Sequence, residues 1–196
     1  ENNLDCDVSN ARWGRWTTCG LCEQEYHGVV ACALGWACWK TYVGRPETDQ
    51  IRILAMNLLG NGLSSANHHE DALSVQDAHL SMLRRLGASA GQRLDVQNNL
   101  AETYKMLGRL DEALRMRRDI YSGRLKLEGK EHRSTIIAAN GYALSLCSLG
   151  RFEEAKSLFC KTIPVARRVL GNVRLTLAMR MNYAEALYKD PAATLD

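Results

Sequence analysis

The chain is self-similar, and that limits its fold more than any local motif. Asn98 to Ala113 (NNLAETYKMLGRLDEA) lies over Asn140 to Ala155 (NGYALSLCSLGRFEEA), pairing Asn98 with Asn140, Ala101 with Ala143, Gly108 with Gly150 and Ala113 with Ala155. One step back along the chain, Asn57 to Ala72 reads NLLGNGLSSANHHEDA, where Leu59, Gly60, Leu63 and Ala72 fall in line with Leu100, Ala101, Tyr104 and Ala113. One step forward, MNYAEALYKDPAATLD begins at Met181, and its Tyr183, Ala184 and Leu187 match Tyr142, Ala143 and Leu146. A period of about 40 residues means that each copy buries its apolar face against its neighbours. Three full copies and the first half of a fourth are legible.

Each copy reads as two helices joined by a tight turn. Apolar or small residues recur at helical spacing (Leu100, Ala101, Tyr104, Leu107) until Gly108 or Gly150, where glycine accepts the left-handed backbone that ends a helix. The second helix opens on Asp111-Glu112 or Glu153-Glu154, which suit the positive end of its dipole. Ala101, Ala113, Ala143 and Ala155 allow close approach of the paired helices. Only 3 prolines and 2 phenylalanines occur among 196 residues, and abundant Ala and Leu favour helix over strand. The expected fold class is all-α.

The pattern small-x-x-aromatic followed by LGR[LF]-[DE]-E-A resembles the tetratricopeptide repeat, and the 41- to 42-residue period is similar to the long variant of kinesin light chains. Gly129, His132 and Thr135 stand at the spacing of that variant's G-x-x-H-x-x-T link. The resemblance covers residues 48 to 196; the family's tryptophan early in the first helix is replaced by Gln97 or Ala139. It implies a right-handed superhelix whose first helices line a concave groove for a protein or peptide partner. Carried over by position, the groove residues are Leu54, Asn57 and Asn61; Asp95, Asn98, Glu102 and Lys105, with Asn99 beside them; and Ile137, Asn140 and Leu144. Asn57, Asn98 and Asn140 align as a ladder, and Asn182 falls one position off it, beside Asn99. Amides carry donor and acceptor together and can grip an extended peptide backbone. The alternative is that each asparagine bonds a neighbouring helix and only holds the stack.

Charge and composition narrow the function. A net charge of +3, with Arg-Arg pairs at 84, 117 and 167 inside helical patterns, reads as solvated helix faces and gives no nucleic-acid footprint. The longest apolar run, GVVACALGWACW from Gly28 to Trp39, falls well short of the ~20 residues needed to span a bilayer. LGNGLSS at Leu59 looks faintly like a phosphate loop but sits inside a repeat. His68-His69 occupies the turn where other copies have Gly-Arg. No nucleophile-base pair or carboxylate pair is in place, so no catalytic residue and no enzymatic activity are expected.

Residues 1 to 24 are outside the repeat, and 25 to 46 read as a capping helix with its linker, carrying Trp36, Trp39 and Tyr42 and closed by Gly44 and Pro46. Cys19 and Cys22 form a C-x-x-C pair, half of a tetrahedral zinc site. The candidates for the two further ligands are Cys6, His27, Cys32 and Cys38, but Cys32 and Cys38 are about 600° apart on a helix and do not share a face, which argues against a closed four-cysteine site. A redox pair would open a helix after a strand, which is not indicated. W-x-x-C-x-x-C-x-x-x-Y resembles the end of a RING-CH finger, the zinc domain of one class of ubiquitin ligases. That resemblance makes Cys19 and Cys22 the last ligand pair, puts the others before Glu1, and implies zinc only for a longer protein. The alternative function is then substrate recruitment for such a ligase. The 7 cysteines, four of them in apolar stretches, fit a reducing, cytoplasmic setting without disulfides.

Overall fold

The computed structural model describes residues 13–191. Helix α1 runs Gly28–Tyr42, α2 Gln50–Ser65, α3 His69–Arg85, α4 Ala90–Met106, α5 Leu110–Glu128, α6 Arg133–Ser148, α7 Phe152–Leu170 and α8 Arg174–Lys189. The fold is all-α, with two compact units: residues 1–88, holding α1 to α3, and residues 89–196, holding α4 to α8.

Local chemistry sets the helix boundaries. Asp49 caps α2 by accepting the Ile51 N–H, and a reciprocal Ser89/Gln92 box opens α4. The first helix of the second and third copies ends on Gly108 (φ 74°) and Gly150 (φ 70°). In the first copy the left-handed residue is Asn67 (φ 63°), and His68 takes the N-cap backbone that Arg109 and Arg151 adopt. The turn is therefore one position earlier than expected: Asn67-His68, not His68-His69, matches Gly-Arg. Asparagine can stand in because its short polar side chain tolerates this conformation.

In the first unit, Leu59, Leu63 and Ala72 form a core covered by Cys32, Trp39 and Val75. Of the three aromatics expected to cap the repeat, Trp39 does so, Trp36 is 42% exposed, and Tyr42 meets Trp13 and Trp16 at centroid distances of 6.3 and 6.4 Å. Helices α1 and α2 cross closely. A Cβ on Gly35 would lie 3.1 Å from Leu58 O, and one on Gly62 would lie 2.6 Å from Ala31 O. Gly62 belongs to LGNGLSS, so a helix crossing, not a phosphate, accounts for that stretch.

In the second unit, α4 packs on α5, α5 on α6, α6 on α7 and α7 on α8. The small residues at the seam are fully buried: Ala101, Ala113, Ala143 and Ala155 are at most 1% exposed. Phe159 and Met179 fill the larger core with Leu114, Ile136 and Leu146, and Ala101, Ile120 and Ala138 form a second cluster.

Candidate functional site

The first helices of the pairs in the second unit, α4, α6 and α8, carry the expected groove positions. On α6 and α8 the 42-residue spacing decides the geometry: Asn182 Nδ2 donates to Asn140 Oδ1 at 3.1 Å. Asn182, one position off the ladder in the sequence alignment, thus joins it in space. The bond leaves Asn140 Nδ2 and Asn182 Oδ1 without a partner among the described residues. Both side chains are half-buried, with exposed Ile137 (42%) and Met181 (72%) one turn or less away. Leu144, one turn after Asn140, is half-buried.

The α4 positions are engaged differently. Arg117, on α5 and only 8% exposed, donates from Nη1 to Asn98 Oδ1 and from Nη2 to Glu102 Oε2 (2.8 Å). Lys105 Nζ closes the network on Glu102 Oε1 at 2.7 Å. Burial pushes the Glu102 carboxyl up, but Lys105 and Arg117 outweigh it and hold the group below its ordinary range. Burial pulls the Arg117 guanidinium down from its ordinary value, against the pull of Glu102. One turn earlier, Arg124 reaches Asp95, the Gly91 carbonyl (3.3 Å) and Glu128 (2.6 Å). Asn99 accepts the Thr103 hydroxyl at its carbonyl (3.1 Å).

Sequence reasoning missed Arg117 and Arg124. Counted by the repeat offsets, Arg117 stands where the next copy has Phe159 and the previous one Gln76, and Arg124 where they have Ala166 and Leu83. A charge at a core position of the repeat was the available signal. Gly141 gives Arg117 its room, since a Cβ there would lie 3.0 Å from Nη1. Asn57 and Asn61 lie on α2 in the first unit, half-buried and exposed respectively, and both have interaction partners.

The cysteine turn is in the first unit. Thr18 and Glu25 form an antiparallel bridge, Cys19 N–H donates to Gln24 O (2.9 Å), Glu23 N–H to Cys19 O (2.9 Å), and Glu23 takes φ 57°. The backbone N–H groups of Cys22 and Leu21, the Cys22 thiol and the Tyr26 hydroxyl favour the Cys19 thiolate and draw its pKa down to about 7. Cys38, fully buried in α1, is pushed the other way, to about 11. Among the described residues no group of 3 or more His, Cys, Asp and Glu is placed to hold a metal, and Cys6 lies outside them. The six described cysteines are free thiols. No helix among the described residues is long and apolar enough to cross a membrane.

This helical-repeat architecture has known counterparts. Residues 92–168 match the tetratricopeptide repeat family model. Among solved structures, the chain is similar to BtubC (BKLC) from P. vanneervenii, with a TM-score of 0.71 and 17% identity over 83% of this chain and 66% of that one. A putative kinesin light chain from Podosopora anserina, with nearly identical tetratricopeptide-like repeats, gives a TM-score of 0.64 and 18% identity over 81% of this chain and 75% of that one. A Rap protein complexed with competence and sporulation factor gives 0.61 and 15% identity, over 81% of this chain and 50% of that one. The chain thus spans only part of the length of each. Identities this low carry the fold. No curated protein matches the chain in sequence.

Proposed function

We propose that the chain is a protein-interaction scaffold and that α4, α6 and α8 bind an extended peptide. The observation that supports this most directly is the Asn140–Asn182 pair. One hydrogen bond between the two side-chain amides leaves the Asn140 NH2 as donor and the Asn182 carbonyl as acceptor, which is the complement of one peptide unit. Ile137, Leu144 and Met181 flank the pair and offer apolar contact to side chains of the bound segment. Asn98 and Glu102 play a second part, since Arg117 ties them to α5 and fixes the α4 edge of the site. The test is selection of peptides from a display library against the chain, then measurement of the selected peptides on Asn140→Ala/Asn182→Ala. Loss of binding at an unchanged melting temperature supports the groove. Unchanged binding, or a lowered melting temperature with binding intact, overturns it.

A second reading rests on the cysteine turn. Two backbone N–H groups aimed at the sulfur of the first cysteine in a C-x-x-C hairpin stabilise the thiolate that a zinc ion requires. The pair fits half of a tetrahedral site, and with the RING-CH resemblance it supports a role in recruiting substrates to a ubiquitin ligase. The whole protein would then supply the other ligands. Zinc titration of a longer chain carrying residues upstream of Glu1 distinguishes the readings: stoichiometric zinc lost in Cys19→Ser supports the finger, and its absence removes the finger.

A further inference from the structure

A cavity of about 230 Å³ lies in the second unit, walled by Tyr121 on α5, Ile136 and Ala139 on α6, and Val165 on α7, with Lys130 and Lys161 also lining it. Its floor is apolar, since Ile136 and Ala139 are 2% and 1% exposed. Both lysines are exposed, and neither makes an ion pair or hydrogen bond among the described residues. Two other clefts of this unit differ in charge. One of about 340 Å³ is lined by Glu153 and Glu154 and shares Lys161 with the first, and one of about 260 Å³ is lined by Glu112 and Asp119 beside Arg115, so each carries two carboxylates to one cation. No acidic residue lines the 230 Å³ cavity, so its two ammonium groups have no counter-ion from the wall. The buried hydroxyl of Thr135, in the same wall, also lacks a partner, but so does Thr176 at the equivalent place of the next copy. The orphaned hydroxyl belongs to the repeat. Lys161 also borders the cleft of Glu153 and Glu154, but of the three clefts this one alone is lined by two cations and no carboxylate, and Asp119 stands where Lys161 would be one copy earlier.

We propose that this cavity binds a small organic monocarboxylate, its branched or aromatic body against Tyr121, Ile136, Ala139 and Val165 and its carboxylate between Lys130 and Lys161. The volume falls below the ~300 Å³ at which clefts begin to take drug-sized ligands, which sets the size class. Apolar walls select the body. Unneutralised cations at the rim select the anion, and two ammonium groups on one carboxylate make charge-assisted bonds. None of the groove asparagines takes part, so the site stands independently of the peptide reading.

The test is a proton–nitrogen NMR titration of the 196-residue chain with phenylacetate and 4-methylpentanoate, and with neutral phenylacetamide as control. The expected result is shifts concentrated on Lys130, Ile136, Ala139, Lys161 and Val165, saturating in the millimolar range, with the amide about tenfold weaker. Lys130→Gln/Lys161→Gln should remove the preference for the acid, and Val165→Phe, which fills the space at a half-buried position, should remove binding. Equal shifts from acid and amide, shifts scattered over the surface, or acid binding unaltered in the lysine variant overturn the proposal. So does tighter binding at the same residues by a peptide with a C-terminal leucine, which would make the ligand a peptide terminus.

Discussion

Replacing Gly62 by alanine should loosen the first unit, against the usual trend for glycine in a helix. The new Cβ would lie 2.6 Å from the Ala31 carbonyl oxygen and 3.0 Å from Cys32 Cα. Both obstacles are backbone, so no rotamer change relieves them, and α1 must move off α2 by roughly 0.5 Å or more. Overpacking of this kind costs about 1–3 kcal/mol, and the helix propensity gained on going from glycine to alanine returns about 1 kcal/mol. Because both obstacles are backbone, the cost falls in the upper part of that range, about 2–3 kcal/mol, and the net expectation is a loss of about 1–2 kcal/mol. All 4 tryptophans (Trp13, Trp16, Trp36 and Trp39) belong to residues 1–88, so tryptophan fluorescence during urea unfolding reports this unit alone. The midpoint should fall by about 1 M with an unchanged slope. Gly91 is the control: its nearest neighbour to a built Cβ is 3.7 Å away, ordinary contact, so Gly91→Ala should raise stability by a few tenths to about 1 kcal/mol, read by circular dichroism. A Gly62→Ala variant that unfolds at the same or higher urea would refute the account of the crossing.

Three further outcomes follow from buried or hydrogen-bonded groups. His79 is 3% exposed and its imidazole is pushed down to about 4 by burial, so between pH 6.5 and 4 the unfolded chain binds a proton that the folded one does not. Stability is full above pH 6.5 and falls by up to about 3 kcal/mol as the pH drops to 4. His79→Ile, the residue of the next copy, should flatten this part of the urea-midpoint profile, and an unaltered profile would remove His79 as its cause. Arg117→Met strands the Asn98 carbonyl and leaves a half-exposed Glu102 with Lys105 alone, and should cost about 1–3 kcal/mol by circular dichroism melting, less than a fully buried pair; no loss would show that the network adds nothing. Cys19 should alkylate with iodoacetamide along a pH curve centred near 7, whereas Cys38 stays unmodified in the folded chain. Mass spectrometry of the labelled peptides checks both, and equal labelling at pH 7 contradicts the turn geometry.

The sequence determined the fold class because a helical repeat is written in short-range terms. Ala101, Ala113, Ala143 and Ala155 mark the seam, and Gly108 and Gly150 mark the left-handed turns, whatever surrounds them. Even Asn67 obeys the same rule, since it stands under Gly108 when Ala72 is laid over Ala113. The expected groove positions could be placed on their helices from the sequence, but not their hydrogen-bond partners. That Asn140 and Asn182 meet depends on how far α8 is rotated and shifted against α6, which a one-residue ambiguity in period leaves open. That Asn98 and Glu102 bond to a buried Arg117 depends on space supplied by Gly141, on the following helix of the chain. The cavity with its two lysines joins residues from α5, α6 and α7 that no local pattern connects. Side-chain periodicity is a property of single helices and can be read along the chain. Hydrogen-bond partners and cavities are properties of the distances between helices, and only tertiary packing fixes those.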